Sequence, residues 1–478
     1  MFRGPAGDID GDRWPAADWR RALGFWGRKF ALLYWESHNG ETQVMLYQGH
    51  VLDVLRQLPS ESVHCVVTSP PYWGLRDYGL PPVVWGGDPE CKHEWGPAEV
   101  YHGHRGSRGQ EPQTKWPSNT TYPQHTGAAQ SFCARCGAWQ GQLGLEPSPD
   151  LYVQHIVEIF REVRRVLRKD GTLWLNLGDT YLAQYGSGFN GQRRFDDANR
   201  NIRLPRPEGV KPKDLLGIPW AVAFALRADG WYLRSDIIIA KANPMPESVT
   251  DRPTRAHEYV FLLARSPRYY YDADAIREPL SSTPEKYLRA GKSVRENHVF
   301  GRVAGRPLGA KSFATVPAGR NKRSVWTIAT EPFPGAHFAV MPSAVAELCI
   351  LAGAPVKVCP SCGAPWRRRV VVWSKTVPPE ERIGRPSHLG RPPQQSGWFW
   401  EPPERRDLGW EPGCKCPDND GSGRAVVLDP FAGAGTVALV AQRLGRSAIG
   451  IDLNPDYLAM ARRRIEAEHA QRRLPVGF

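Results

Sequence analysis

Apolar and polar positions along the chain switch between two periods, and the switch points mark out the elements. Residues 51–58 (VLDVLRQL) space their apolar side chains as a helix does. The run SVHCVVTSPPYW that follows is apolar and β-branched until Pro70 and Pro71 break it. It predicts a strand that ends there, because proline removes a backbone donor. Ser69 to Trp73 then fall at the carboxyl edge of a strand, where α/β sheets bind ligands. Residues 151–168 carry apolar side chains at 152, 156, 159, 160, 163, 166 and 167, the stripe of an amphipathic helix. Asp170-Gly171 stops it, and TLWLNLGD predicts the next strand. The same succession recurs in PWAVAFALRADGWYLRSDIIIAK (219–241), and EYVFLLARS (258–266) predicts a further strand. AVVLDPFAGAGTVALVAQRLGRSAIGIDLN returns to strand, glycine turn, helix and strand. Strands alternating with helices predict an α/β fold.

Four stretches lack a sustained period. Residues 1–44 are expected to be an N-terminal extension of disordered character, with Met45 a candidate start and V-M-L-Y-Q-G the first regular strand. Residues 86–142 form a loop-rich insertion. Residues 275–325 hold 11 Lys or Arg against 3 Asp or Glu, which fits either a solvated basic loop or a segment that contacts phosphates. Residues 355–423 form a second insertion, rich in Pro and Arg.

Composition narrows the picture. At 478 residues the chain can bury a sizeable core and holds two to four structural units. It has no run of 18 apolar residues, so no transmembrane helix is expected, and no apolar segment of a secretory signal. Its net charge of +13 suggests a polyanionic partner. Nine cysteines are too few for a disulfide scaffold. Most fall in close pairs: Cys91-x-His93, Cys133-x-x-Cys136, Cys359-x-x-Cys362 and Cys414-x-Cys416. Two groups of four ligands with no open position predict structural zinc in ribbon-like folds, although about fifty residues between the last two pairs is a long gap for a ribbon. Cys65 and Cys349 lie in apolar runs and read as buried thiols.

Two motifs carry chemistry. Asp429-Pro-Phe-Ala-Gly-Ala-Gly-Thr436 follows one strand and opens a helix, and the next strand ends in Asp452. Glycines there let the backbone turn tightly and approach a ligand, and an acidic residue one unit later suits ribose hydroxyls. The segment lacks both the G-x-G-x-x-G fingerprint and a phosphate-loop Lys, so a nucleoside without phosphates fits it better. In Thr68-Ser-Pro-Pro-Tyr-Trp73 the prolines hold Ser69 rigidly at a cleft, and Tyr72 offers a flat face for a planar base or, equally, for the core.

Together the motifs resemble the S-adenosylmethionine-dependent DNA amino-methyltransferases. The order, S-P-P-Y first and D-P-F-x-G-x-G-T last, is similar to that family's β-type circular arrangement. Lys241–Ser248, Asp251–Thr254, His257–Phe261 and Gly335–Phe338 look like further blocks of the same family. The resemblance implies a Rossmann-like methyltransferase sheet, circularly permuted, with zinc-ribbon-like insertions. It implies a catalytic domain in pieces (45–85, 143–274), a basic target-recognition region (275–325, with 185–210 as a second element), a cofactor-side block (326–354) and a cofactor-binding part (424–478). Ser69, Pro70, Pro71 and Tyr72 would be catalytic, with Tyr72 stacking on a base swung out of the duplex. Asp429, Phe431, Gly433, Gly435, Thr436, Asp452, His337 and Phe338 would hold S-adenosylmethionine. Zinc would sit on Cys91, His93, Cys133 and Cys136, and on Cys359, Cys362, Cys414 and Cys416. Relatives with Ser before P-P-Y more often modify cytosine N4 than adenine N6, so Ser69 favours cytosine. Adenine N6, an RNA or protein acceptor, and a non-catalytic zinc-containing DNA-binding protein are the alternatives. The implied partner is DNA, the implied setting the cytoplasm of a bacterium or a phage host. A companion restriction endonuclease is neither required nor excluded by these residues. One departure stands out: Gly49 is followed by His50 where many relatives carry Gly-Asp, and Asp53 is the nearest substitute.

Overall fold

Runs of consecutive buried residues mark the middle of the structure. All six positions of β3 (Val63–Thr68) are buried, and five of the six in β15 (Ser447–Asp452), the mark of strands covered on both faces. The computed structural model describes residues 32–40, 42–74, 78, 80–97, 99–101, 128–182, 209–278, 320–331, 340–373 and 404–473.

The remaining strands of the main sheet are β1 (Leu32–Asn39), β2 (Thr42–Gln48), β8 (Leu167–Leu177), β9 (Tyr232–Lys241), β10 (His257–Ala264), β11 (Val325–Ile328) and β14 (Val426–Asp429). They pair in the order β1-β2-β15-β14-β3-β8-β10-β9-β11. From β2 to β8 all neighbours are parallel, and β10 runs antiparallel to both β8 and β9. The last two strands in sequence, β14 and β15, thus fill the gap between β2 and β3. This is the permuted α/β arrangement that the motif order implies.

Helices α1 (Val51–Gln57), α2 (Pro149–Val166) and α3 (Ile218–Ala228) cover one face of the sheet. Helices α4 (Ser343–Gly353), α5 (Thr436–Arg443) and α6 (Pro455–Arg473) cover the other. The predicted stripe of α2 is the one that is buried: Tyr152, Ile156, Ile159, Phe160, Val163 and Val166. Ser148 caps its N-terminus by accepting from the Leu151 amide at 3.2 Å, with Pro149 in the first turn.

The sheet starts earlier than the pattern indicates. Leu32–Asn39 pairs antiparallel with β2 and closes the sheet edge, so regular structure precedes Met45. An edge strand with mixed exposure carries no alternation to detect. The first insertion is also more regular than expected. Strands β4 (Val83–Trp85), β5 (Glu99–Tyr101), β6 (Ala128–Phe132) and β7 (Trp139–Gly141) form an antiparallel sheet in the order β4-β7-β6-β5. The second insertion contains the hairpin β12 (Arg367–Trp373) with β13 (Glu404–Glu411).

Most of the basic stretch 275–325 lies outside the described residues, as does 185–208. Its two described ends are tied together: Glu278 pairs with Arg320 at 3.0 Å and with Arg323 at 2.8 Å. No described helix is long and apolar enough to cross a membrane.

Candidate active site

Three polar side chains end adjacent parallel strands: Thr68 on β3, Asp429 on β14 and Asp452 on β15. The Thr68 hydroxyl donates to Asp429 Oδ1 at 2.7 Å, and the Phe431 amide donates to the same oxygen at 3.1 Å. Asp452 Oδ2 accepts from the Gly433 amide and Oδ1 from the Asn454 amide, both at 2.8 Å. The glycine turn is therefore wrapped around the two carboxylates. Burial pushes the Asp429 carboxyl up to about 7 and the Asp452 carboxyl up to about 6. Gly435 adopts φ 73°, and a Cβ there would lie 2.5 Å from the Cβ of Ala461. A side chain would push α6 off the start of α5.

Ser69 and Pro71 face the same cleft as Asp429, Phe431, Gly433, Thr436 and Asp452. Neither Lys nor Arg occurs among the described residues that line it. Its other walls come from the first insertion and its flanks, including Leu80, Val83, Trp85, Gln142 and Leu143. Gly49 and His50 line it too, so the departure from Gly-Asp puts an imidazole at the cleft. Among the other expected site residues, Pro70, Gly435 and Tyr72 do not line the cleft, and His337 and Phe338 lie outside the described residues.

Tyr72 turns its ring against Gly178, where an added Cβ would sit 2.5 Å from ring carbon Cε2. Its hydroxyl donates to Glu258 Oε2 at 3.3 Å and accepts from Ser69 Oγ at 3.2 Å and Asn176 Nδ2 at 3.1 Å. Lys241 pairs with the other oxygen of Glu258. Burial and the Glu258 charge hold the phenol well above its usual range. The Asn176 carbonyl oxygen is buried without a partner, an open acceptor in the same network. Sequence reasoning placed Lys241 and Glu258 in family blocks without roles and missed Asn176. Only their positions on β8, β9 and β10, next to the end of β3, bring them to Ser69.

Beneath the insertion's wall, His155 lies between Trp85 and Trp139, with ring centroids 5.1 and 5.3 Å away. Its Nδ1 meets Glu146 Oε1 at 3.0 Å, and Glu146 Oε2 accepts from the Gly144 amide at 2.8 Å. Nothing in the sequence pattern marks this pair, because Glu146 sits in a loop and His155 on the buried stripe of α2.

Each cysteine group closes on itself, with one donor atom per residue and all four within 4.8 Å of one another. Both have the donor set of a tetrahedral metal site.

The profile of the DNA methylase family matches residues 63–357 and 421–463. The Type II methyltransferase M.SmaI of Serratia marcescens is 35% identical over 421 residues, which is 87% of this chain and 89% of the relative. The Type II methyltransferase M.Cfr9I of Citrobacter freundii is 34% identical over 90% of this chain and 89% of its own length. Among solved structures, the PvuII DNA methyltransferase (cytosine-N4-specific) aligns with TM-score 0.42 and 13% identity, covering 92% of this chain and 94% of that one.

Proposed function

This chain belongs to the DNA methylase family, and we propose that it transfers a methyl group from S-adenosylmethionine to the exocyclic amino group of a base in DNA, cytosine N4 in preference to adenine N6. The observation that carries this is a single cleft lined both by Ser69 and Pro71 and by the Asp429–Asp452 turn. The residues suit the cofactor. Asp429, buried, and Asp452, partly buried, have no Lys or Arg beside them among the described residues that line the cleft, which disfavours a phosphate and favours a cationic nucleoside. S-adenosylmethionine, when bound, supplies an electrophilic methyl group on a positively charged sulfur.

The chain's own residues then have two tasks. Asp452, fixed by the Gly433 and Asn454 amides, accepts ribose hydroxyls. Ser69, which lines the cleft, and the backbone carbonyl at Pro70 accept hydrogen bonds from the base's amino group and so aim its nitrogen at the methyl carbon. Bound there, S-adenosylmethionine would supply the methyl group to that nitrogen, its methyl–sulfur bond breaking as the N–C bond formed, and the displaced amino proton would pass to water. No covalent enzyme intermediate is needed, and the buried Cys65 is not a nucleophile here, since burial holds its thiol up at about 12. Rate then comes from positioning and from hydrogen bonds that strengthen as charge develops on nitrogen. The target amino group is paired in a duplex, so the base must leave the stack.

Nucleoside mass spectrometry on DNA from a methylation-free host expressing the chain tests this. A 4-methylcytosine peak is expected. A 6-methyladenine peak would keep the enzyme and discard the base assignment, and neither peak from soluble chain would remove both.

The raised carboxyls give a second prediction. Asp429 and Asp452 lose their protons only near pH 7 and pH 6. In the ligand-free chain they favour the folded state below pH 4, and that contribution is lost as pH rises through those values. A cationic ligand needs them charged, so its binding releases protons. Affinity for S-adenosylmethionine is expected to rise between pH 5 and pH 7.5 by about tenfold through Asp452 and by up to about eightyfold more through Asp429. Calorimetry in buffers of different ionisation enthalpy checks it, and a flat profile would contradict the charged pocket.

A further inference from the structure

The two cysteine groups sit at opposite ends of the sheet. We propose that each binds one zinc ion and that the ions have separate tasks: the Cys91 group fixes a wall of the cleft, and the Cys359 group clamps the far end of the sheet.

The donor geometry is that of zinc. A tetrahedral ion with Zn–S near 2.3 Å and Zn–N near 2.0 Å sets its donors about 3.8 Å apart for sulfur pairs and about 3.5 Å for sulfur and nitrogen. Cys91 and Cys133 sulfurs are 3.9 Å apart, and Cys136 Sγ is 3.4 Å from His93 Nδ1. In the second group Cys362 and Cys414 sulfurs are 3.4 Å apart. Each C-x-x-C turn ends in a left-handed glycine, Gly137 at φ 72° and Gly363 at φ 67°. N–H groups also point at sulfur: the Arg135 amide at Cys133, 3.4 Å, and the Asn419 side chain at Cys414, 3.2 Å. Such outer contacts favour the thiolate and orient it. Soft thiolates closed around a small tetrahedral space select zinc over hard cations.

The surroundings separate the tasks. Both arms leaving the first group run into the cleft wall. Upstream, Val83 and Trp85 line the cleft, and two residues later a Cβ on Gly87 would lie 2.9 Å from Cys136 Sγ. Downstream, β7 leads from Cys136 to Gln142 and Leu143, which also line it. Strands β4 and β7 have three residues each, too short to hold register unaided. The second group meets the opposite strand ends. His64, near the start of β3, contacts the Gly363 carbonyl at 2.9 Å through Nε2 and accepts from the Val426 amide at 3.0 Å through Nδ1. Arg168, at the start of β8, donates to the Cys362 carbonyl at 3.0 Å. From His64 to Thr68 the strand rises about 13 Å, so this group is remote from the cleft.

The test uses the full chain, purified without chelator. Elemental analysis is expected to find about two zinc per chain, and about one in each of Cys136→Ala and Cys362→Ala. Affinity for S-adenosylmethionine should fall about tenfold in Cys136→Ala. In Cys362→Ala it should hold within about twofold while the melting temperature drops. The wall's role rests on the cofactor reading proposed above; the metal count does not. Two zinc ions in a chain that never binds S-adenosylmethionine would overturn the wall's role and leave the sites standing. An unaltered chain with one zinc or none overturns the paired sites, and equal loss of affinity in both variants overturns the division of tasks. Should a variant precipitate, cobalt titration of the metal-stripped chain decides the count: thiolate-to-cobalt absorption rising to two equivalents supports it, and saturation at one or none overturns it.

Discussion

A Tyr72→Ala chain is expected to lose methyl transfer by about a hundredfold while binding S-adenosylmethionine within about twofold of the unaltered protein. Stacking a base on an aromatic ring is worth about 1–3 kcal/mol, and each 1.4 kcal/mol is about tenfold in rate. The ring now rests against Gly178, held by Glu258, Ser69 and Asn176. It must swing from there to meet a base, so removing it costs the stack and also leaves Glu258 with one partner fewer. Tyr72→Phe separates these contributions. It keeps the ring and drops the hydroxyl, and a loss of about tenfold is expected, since a hydrogen bond to a charged acceptor contributes about 1.5 kcal/mol. Single-turnover assays on a short duplex, alongside calorimetry for the cofactor, give both numbers. Normal transfer by Tyr72→Ala would end the stacking role.

Asp452→Ala should have the reverse profile: cofactor affinity down about a hundredfold, with little methylation at ordinary concentrations. Two ribose hydroxyls donating to a partly buried carboxylate contribute about 1.5 kcal/mol each. Alanine also strands the Gly433 and Asn454 amides, which lose their shared acceptor. The glycine turn would loosen even without ligand. Asp452→Asn keeps the shape and one acceptor oxygen, so about tenfold is expected. Isothermal titration of each variant decides, and unchanged affinity in Asp452→Ala would remove the residue from the cofactor's pocket.

Much of the fold was legible because its signals are local. The stripe on α2, the proline break after β3 and the glycine turn before α5 each declare an element within a dozen residues. What escaped notice depends on contacts far apart in sequence. β1 is an edge strand whose only argument for being a strand is its partner β2. The small sheet of the first insertion is built from strands of three to five residues, below the length at which alternation can be seen. The site divides the same way. Ser69, Asp429 and Asp452 stand in motifs. Asn176, Lys241 and Glu258 matter through a network that forms only when β8, β9 and β10 line up beside β3. Tyr72 was legible as a residue but not as a posture, since its turn toward Glu258 is set by the room that Gly178 leaves.

The hydrogen bond from Thr68 to Asp429 joins residues 361 apart in sequence, and β14 cannot slot beside β3 until the chain between them exists. At about 5–20 residues per second on the ribosome, that is a wait of about 20–70 seconds. During it the edge of β3 stays unpaired and open to the wrong neighbour. The half that would handle the base is synthesised first and the half that would hold the methyl donor last, so the nascent protein has no way to act on DNA early. The delay between translation and a complete cleft is written into the strand order.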